Sequence, residues 1–154
     1  MVIGIDPGAS KPHALAIIHN EKLIHVGPVS RELGTIVDWL NMYRPNVVAI
    51  EGQYAGPNIK VLIQLAEARG KLIAVCELTG VKYEIIQPQQ WMNSIGLNSR
   101  TKRGPARDKW IIKMAKEISK GLSMPDSIDI DQACAIHIAN FAFKRLCFKK
   151  KVQR

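Results

Sequence analysis

The chain has 154 residues, 47% of them hydrophobic and 23% charged, which allows one substantial core and excludes an intrinsically disordered protein. No stretch approaches the roughly 18 consecutive apolar residues of a membrane span, and three widely spaced cysteines indicate neither a disulfide framework nor a CxxC-type zinc site. The formal net charge of +9 favours a polyanionic partner, with nucleic acid ahead of an anionic membrane surface.

This charge is unevenly distributed along the chain. Residues 1–95 carry eight basic and eight acidic side chains, whereas residues 96–154 carry fourteen and five. One side of the fold is therefore expected to be basic, either to hold a polyanion or as a solvated, solubilising face. Because the N-terminus enters strand-like sequence without a signal region, we expect a cytoplasmic protein, nucleoid-associated or in a phage-infected bacterial cell, with no membrane contact.

The first part of the chain predicts an antiparallel meander. A short apolar run ends in Asp6 before the turn signal Pro7-Gly8, and two more apolar runs flank a turn at residues 20–22. The predicted strands cover residues 2–6, 13–19 and 23–29. Ser30 is the expected N-cap of a first helix, because apolar residues recur behind it at helical spacing.

The rest of the chain alternates strands and helices. A β-branched run over residues 46–51 predicts a buried strand that ends in Glu51, and a helical period predicts a long central helix from Ile59 to Thr79. We then expect a strand over residues 81–86, a short helix over 88–91, an exposed basic loop over 96–104, and helices over 105–121 and 129–146. This order predicts an α/β fold: a mixed sheet, first an antiparallel meander and then parallel strands, with helices on both faces. It forms one domain over residues 1–148, followed by a basic tail over 149–154.

Acidic residues occur where buried elements meet the surface. Asp6 ends the first strand, Glu51 ends the fourth, and Asp129 and Asp131 open the last helix. If the first and fourth strands are neighbours, Asp6 and Glu51 converge. Clustered carboxylates suit hard divalent cations, and two such ions about 3.5–4 Å apart can assist phosphodiester hydrolysis. Taken singly, each acid also has a structural reading, as a turn, capping or helix-dipole residue.

Several segments, in order, resemble the RuvC family of Holliday-junction resolvases, which has an RNase H-like fold. Ile3-Gly4-Ile5-Asp6-Pro7-Gly8 resembles the family's opening strand and Ala49-Ile50-Glu51-Gly52-Gln53-Tyr54 its second acidic strand, while residues 65–70 (LAEARG), 84–91 (EIIQPQQW) and 129–139 (DIDQACAIHIA) are similar to later segments. The resemblance spans essentially the whole chain. It implies a metal-dependent endonuclease for branched DNA.

The last helix departs from the family's pattern of two acids three residues apart. The first acid matches Asp129, but the position of the second holds Gln132. Three alternatives remain open: Gln132 is a neutral oxygen ligand, a one-residue shift brings in Asp131, or Asp126 approaches from the preceding loop.

The resemblance also implies a mechanism. Two Mg²⁺ ions, for which Mn²⁺ can substitute, would be held by Asp6, Glu51 and Asp129 together with Asp131 or Gln132. One ion would activate water and the other would neutralise charge on the leaving 3′ oxygen, leaving a 5′ phosphate. The implied substrates are four-way junctions and also forks. Since such junctions have near two-fold symmetry, a homodimer is expected, with the apolar central helix as its interface.

Basic and aromatic residues are candidates for DNA contact. Phosphate contacts from Lys and Arg dominate DNA affinity, and the candidates lie in the basic loop and the helix after it: Lys102, Arg103, Arg107, Lys109, Lys113 and Lys116. Lys109 best matches a basic position of the family. The resemblance places Tyr54 near the junction centre, where it would stack on an exposed base; an ordinary core position is the alternative.

Three other functions stay open at this point. The chain could bind branched DNA without cleaving it, because Gln132 replaces an acid. It could be a related nuclease for forks, flaps or RNA-containing hybrids. An acetate-kinase-like phosphotransferase is a weaker alternative, because the chain is too short for a second nucleotide-binding half.

Overall fold

The computed structural model describes residues 1–52, 58–97, 104–120 and 127–152, with side chains as far as residue 147. Five strands alternate with five helices in chain order: β1 (Val2–Asp6), β2 (His13–His19), β3 (Lys22–Val29), α1 (Leu33–Tyr43), β4 (Val47–Glu51), α2 (Ile59–Thr79), β5 (Tyr83–Ile86), α3 (Pro88–Ser94), α4 (Pro105–Ile118) and α5 (Ile130–Val152). Within these residues, no helix combines the length and the apolarity needed to cross a bilayer.

The strands form one mixed sheet in the order β3-β2-β1-β4-β5. β1 pairs antiparallel with β2, and β2 with β3; β1 pairs parallel with β4, and β4 with β5. The predicted meander is thus confirmed, and the first and fourth strands are direct neighbours, which was the condition for Asp6 and Glu51 to converge. The β2–β3 hairpin turns through Asn20 and Glu21, whose positive φ angles of 48° and 65° suit a two-residue turn that follows strand twist.

Side chains alternate between the two faces of the sheet, and each face has its own core. Ile3, Ile5, Val48 and Ile50 point toward α1 and α2. The other face, toward α3, α4 and α5, carries Val2 and Ala49 among its buried residues. Helices cover both faces, as predicted.

α5 packs on β1 at very short range. A Cβ placed on Gly4 would lie 2.5 Å from the Ala135 carbonyl oxygen and 2.7 Å from the Ala139 Cβ, so only glycine fits there. Ala135 and Ala139 are both fully buried. The absence of larger side chains at this contact lets the start of α5 reach the end of β1, where Asp6 lies.

Some predicted boundaries differ from the structure. α1 begins at Leu33 with Glu32 at its cap position, because the Ser30 hydroxyl instead accepts the Glu32 N–H at 3.2 Å. β5 begins at Tyr83, since the Val81 N–H donates to the Cys76 carbonyl at 2.9 Å and so closes the end of α2.

Candidate active site

Asp6 and Glu51 lie side by side at one edge of the sheet. They end the parallel neighbours β1 and β4, whose register pairs Ile5 with Ile50. Because Gly4 and Ala49 face α5, the two-residue alternation turns Asp6 and Glu51 to that same face. The two carboxyl groups are in hydrogen-bond contact with each other, which requires one of them to hold a proton.

The N-terminus of α5 brings two more acids to this edge. The Asp129 carboxylate accepts the Gln132 N–H at 2.8 Å, and the Gln132 side-chain oxygen accepts the Asp129 N–H at 3.1 Å. This reciprocal pair is a capping box that fixes the first helical turn. The carboxylate of Asp131, in that turn, is close enough to act electrostatically on both Asp6 and Glu51.

Lys11 supplies a positive charge among these acids. Its ammonium group forms an ion pair with Asp131 and also interacts electrostatically with Asp6 and Asp129. The hydrogen bond to Asp131 and these charges raise the pKa of Lys11, against the opposing effect of burial. The turn that carries Lys11 is held by Gly8, whose N–H donates to His13 Nδ1 at 3.0 Å.

Burial and mutual repulsion disfavour ionisation of the acid pair. Burial, followed by the negative charges of Glu51 and Asp131, raises the pKa of Asp6 to about 9. Burial also raises the pKa of Glu51, although hydrogen bonds from Trp91 and Asp6 oppose the shift. Among the described residues, the site therefore carries more acidic groups than Lys11 can balance, which is the situation that a divalent cation relieves.

The donor set fits a hard cation such as Mg²⁺, because its members are carboxylate oxygens and the nearest pair already converges. Among the described residues, no three His, Cys, Asp or Glu side chains are arranged as a complete metal site. Asp6 and Glu51 form the converged pair, and the Asp131 carboxylate is turned toward Lys11. A cation that displaces the shared proton and competes with Lys11 would complete the set.

One basic residue of α4, Arg107, lies near the acids. The thiol of Cys134 lies within electrostatic reach of both. Burial, together with the charges of Asp6, Glu51 and Asp131, raises the pKa of Cys134, while the charge of Arg107 lowers it. Arg107 also pairs with Asp108 at 3.1 Å. Further along α4, three exposed lysines share one face at helical spacing: Lys109, Lys113 and Lys116.

Two groups of residues are left: predicted site residues that lie outside the described part of the chain, and site residues of the structure that were not predicted. Tyr54, Lys102, Arg103 and Asp126 belong to the first group. Lys11 was missed, since its approach to Asp131 joins residues 120 positions apart. No role was predicted for Trp91; in the structure, its indole N–H donates to Glu51 Oε1 at 2.8 Å.

Comparison with known proteins gives one consistent result. The sequence model of the family described as "Crossover junction endodeoxyribonuclease RuvC" matches residues 2–140. A relative of that description from Wolbachia pipientis wMel is 29% identical over 163 residues, covering 96% of this chain and 97% of the relative. Another, from Caldanaerobacter subterraneus subsp. tengcongensis, is 28% identical over 155 residues and covers 90% of each chain.

Solved structures share the fold. T. thermophilus RuvC in complex with Holliday junction substrate superimposes with a TM-score of 0.72 at 21% identity, over 94% of this chain and 93% of that one. A fowlpox virus resolvase in complex with Holliday junction DNA gives a TM-score of 0.54 at 17% identity, over 94% and 99%. The predicted RNase H-like fold class is confirmed by these neighbours.

Replacement of Asp6 by Asn should stabilise the metal-free protein. Between the ordinary pKa of Asp6, 3.8, and its value of about 9 here, the folded state binds more protons than the unfolded state, so the free energy of unfolding falls as pH rises. In EDTA at pH 8 we expect the free energy of unfolding of Asp6→Asn to exceed that of the unmodified protein by at least about 1 kcal/mol, which raises the Tm by about 2–4 °C. The gain should shrink toward pH 4.

Thermal unfolding measured at both pH values checks this, with Asp38→Asn, an exposed acid of α1, as the control. Mg²⁺ should then stabilise the unmodified protein and leave Asp6→Asn unchanged. Equal Tm values of the two proteins in EDTA at pH 8 would contradict the repulsion described above.

Proposed function

Because the chain belongs to the crossover junction endodeoxyribonuclease RuvC family, we propose that it cuts four-way DNA junctions, with Asp6, Glu51 and Asp131 as its metal-holding acids. The resemblance also implies Asp129 as a ligand; we propose Asp131 ahead of it, because the Asp129 carboxylate already accepts the Gln132 N–H as the cap of α5. The observation that carries the residue assignment is the hydrogen-bonded pair of Asp6 and Glu51 carboxyls at adjoining strand ends, within electrostatic reach of Asp131. We further propose Mg²⁺ as the metal, with Mn²⁺ able to substitute, since oxygen donors suit both ions. Forks are a second substrate class.

Bound divalent cations supply Lewis acidity, which activates water and offsets charge on the phosphate and the leaving oxygen. The residues of this chain would bind the cations and position the substrate for that chemistry. Asp6 and Glu51 would hold the cation with their carboxylate oxygens, and the proton that they share in its absence would pass to solvent. The capping box of Asp129 and Gln132 fixes the backbone of the first turn of α5, and Lys11 stays close enough to contact a scissile phosphate.

DNA would be held by the basic face of α4. Lys109, Lys113 and Lys116 are exposed on one side of this helix, and Lys113 lies 5.6 Å from the ring centre of Trp110. Arg107, at the end of α4 nearest the acids, would contact the phosphate closest to the site. Lys102, Arg103 and Tyr54 stay proposed DNA contacts from the resemblance alone.

A homodimer would give the two active sites that coordinated cuts on two strands require. The first half of α2 supports this, because its side away from the core exposes apolar side chains that include Ile59 at 70% and Ile63 at 53% of their surface. Ala66 and Gly70 continue the same stripe at helical spacing, so a second helix could approach closely. We propose this stripe as the dimer interface. Since DNA is the substrate, we place the protein in the bacterial or phage-infected cytoplasm.

One observation favours a second candidate, a branched-DNA binding protein that does not cleave. Gln132 holds the position of an acid in the family's pattern, and here its side-chain oxygen is occupied by the Asp129 N–H. If Asp131 does not replace the missing acid, the protein would bind junctions and leave them intact. Incubation of a labelled four-way junction with Mg²⁺, beside linear duplex, separates the two candidates.

Substitution of single acids should locate the metal-holding set. We expect Asp6→Asn and Asp131→Asn each to reduce junction cleavage by about 100-fold or more, because a lost ligand removes several kcal/mol of charge stabilisation. Asp129→Asn is the matched control: it removes one charge from the same helix turn but keeps a good N-cap, so it should retain more activity. All three should still bind the junction in a gel-shift assay. If Asp129→Asn were the most damaged, Asp131 would not be the third acid.

Loss of a phosphate contact should weaken the dependence of DNA affinity on salt concentration. We expect Lys109→Ala to flatten the slope of log K against log salt by about 1, as for one released counterion. Lys82→Ala, an exposed lysine at the opposite edge of the sheet, is the control and should leave the slope as it is. Fluorescence anisotropy with a labelled junction across a salt series measures both. An unchanged slope for Lys109→Ala removes Lys109 from the interface.

A charge in the apolar stripe of α2 should separate the dimer. Ile63→Asp places a carboxylate where two stripes would meet, and burial of an unpaired charge is costly. Light scattering coupled to size exclusion should give a dimer for the unmodified protein and a monomer for Ile63→Asp. Ile24→Asp makes the same change on β3, at an isoleucine with 42% exposure, and should stay dimeric. A monomeric unmodified protein would rule out this interface.

A further inference from the structure

Trp91 is enclosed between the acid pair and the basic helix. Only 2% of its surface is exposed, and its indole N–H donates to Glu51 Oε1 at 2.8 Å. It lies on α3, which starts directly after β5 with a capping box between Gln87 and Gln90. Since β5 pairs with β4 beside Glu51, the start of α3 is fixed relative to that carboxylate.

The indole ring of Trp91 makes a stacking contact on its face in addition to the hydrogen bond at its edge. Its neighbour is His137 of α5, with ring centres 5.5 Å apart and the planes only 4° from parallel. The His137 Nε2 atom is 2.9 Å from the Ile111 carbonyl oxygen of α4. Because a carbonyl only accepts, Nε2 carries the hydrogen, and His137 Nδ1 has no hydrogen-bond partner among the described residues. Burial lowers the pKa of His137, which keeps this ring neutral.

We propose that Trp91 is the positioning residue of Glu51: its indole N–H fixes one carboxylate oxygen and thereby orients the other toward the metal. The inference rests on the proposed metal site and adds a residue to it. Trp91 touches neither the reacting atoms nor the cation, and acts only through Glu51. Through the stack on His137 and the bond to Ile111, the orientation of Glu51 is also tied to α4, the helix proposed to hold DNA.

The indole N–H of Trp110 provides the comparison within the same protein. Its N–H donates to the Ile95 backbone carbonyl at 2.9 Å, which joins α4 to the end of α3. Trp91 has similar donor geometry, but its acceptor is a carboxylate of the proposed metal set. Donors that orient a metal-ligating side chain change metal affinity by about 10–100-fold when they are removed. A bond that serves packing alone changes only stability.

The test compares two substitutions that each remove one indole N–H and keep an aromatic ring. Mn²⁺ binding is measured by calorimetry on the full chain, beside thermal unfolding in EDTA. We expect Trp91→Phe to weaken Mn²⁺ binding by about 10-fold or more. Trp110→Phe should keep the affinity of the unmodified protein, even if both variants lose a few degrees in Tm. Equal Mn²⁺ affinity of Trp91→Phe and the unmodified protein overturns the positioning role.

A second measurement keeps the proposal testable if Trp91→Phe does not fold. The protein has three tryptophans, so its indole N–H resonances can be assigned by elimination with Trp39→Phe and Trp110→Phe. Titration with Mg²⁺ should move the Trp91 resonance with the same midpoint as the heat of Mg²⁺ binding. A Trp91 resonance that stays in place while Mg²⁺ saturates the protein overturns the proposal.

Asp6→Asn separates this inference from the proposed function. If Asp6→Asn loses Mn²⁺ binding and Trp91→Phe does not, the metal site stands and only the role of Trp91 fails. If the unmodified protein binds Mn²⁺ no better than Asp6→Asn, the acid pair is not a metal site, and both the proposed function and the positioning role fail.

Discussion

The burial of two neighbouring carboxyl groups against each other is the constraint on which the site in this structure depends. β1 and β4 run parallel as direct neighbours, so their last residues, Asp6 and Glu51, meet at one edge of the sheet. The strands themselves are held by buried aliphatic residues on both faces, which leaves the acids no freedom to move apart. The free energy of folding thus holds together two acids whose simultaneous ionisation is disfavoured by burial and by their proximity.

Close packing of α5 adds a third charge to the pair. Gly4 leaves room for the backbone at Ala135, and this contact is four residues along α5 from Asp131. A larger side chain at either position would lift the helix from β1 and carry its acids away from Asp6. The small residues at this contact therefore serve the site as much as the core.

Most of the fold could be predicted because it follows from local patterns. Alternation and β-branched runs predicted the strands, and the hairpin turn at Asn20 was readable from its residue types. Which residues belong to the site was harder to predict, since this depends on contacts between segments that are distant in the sequence. Nothing in the local sequence marks Lys11, yet it pairs with Asp131. For Trp91, nothing in the local sequence indicates whether the indole N–H will donate to a carbonyl or to a carboxylate.

The N-terminus of α5 explains how an acid site can tolerate glutamine at a position where the family has a carboxylate. Gln132 occupies the N3 position of the helix and Asp129 the N-cap, and their two hydrogen bonds satisfy backbone donors that would otherwise lack partners. Capping therefore occupies the side-chain oxygen of Gln132 and one oxygen of Asp129. Asp131, between them, makes no capping bond, and its carboxylate acts on Asp6 and Glu51. The negative charge at this end of the helix is also favoured by the helix dipole. A glutamine in the capping role can thus coexist with a charged site, because the neighbouring acid of the same turn carries the charge.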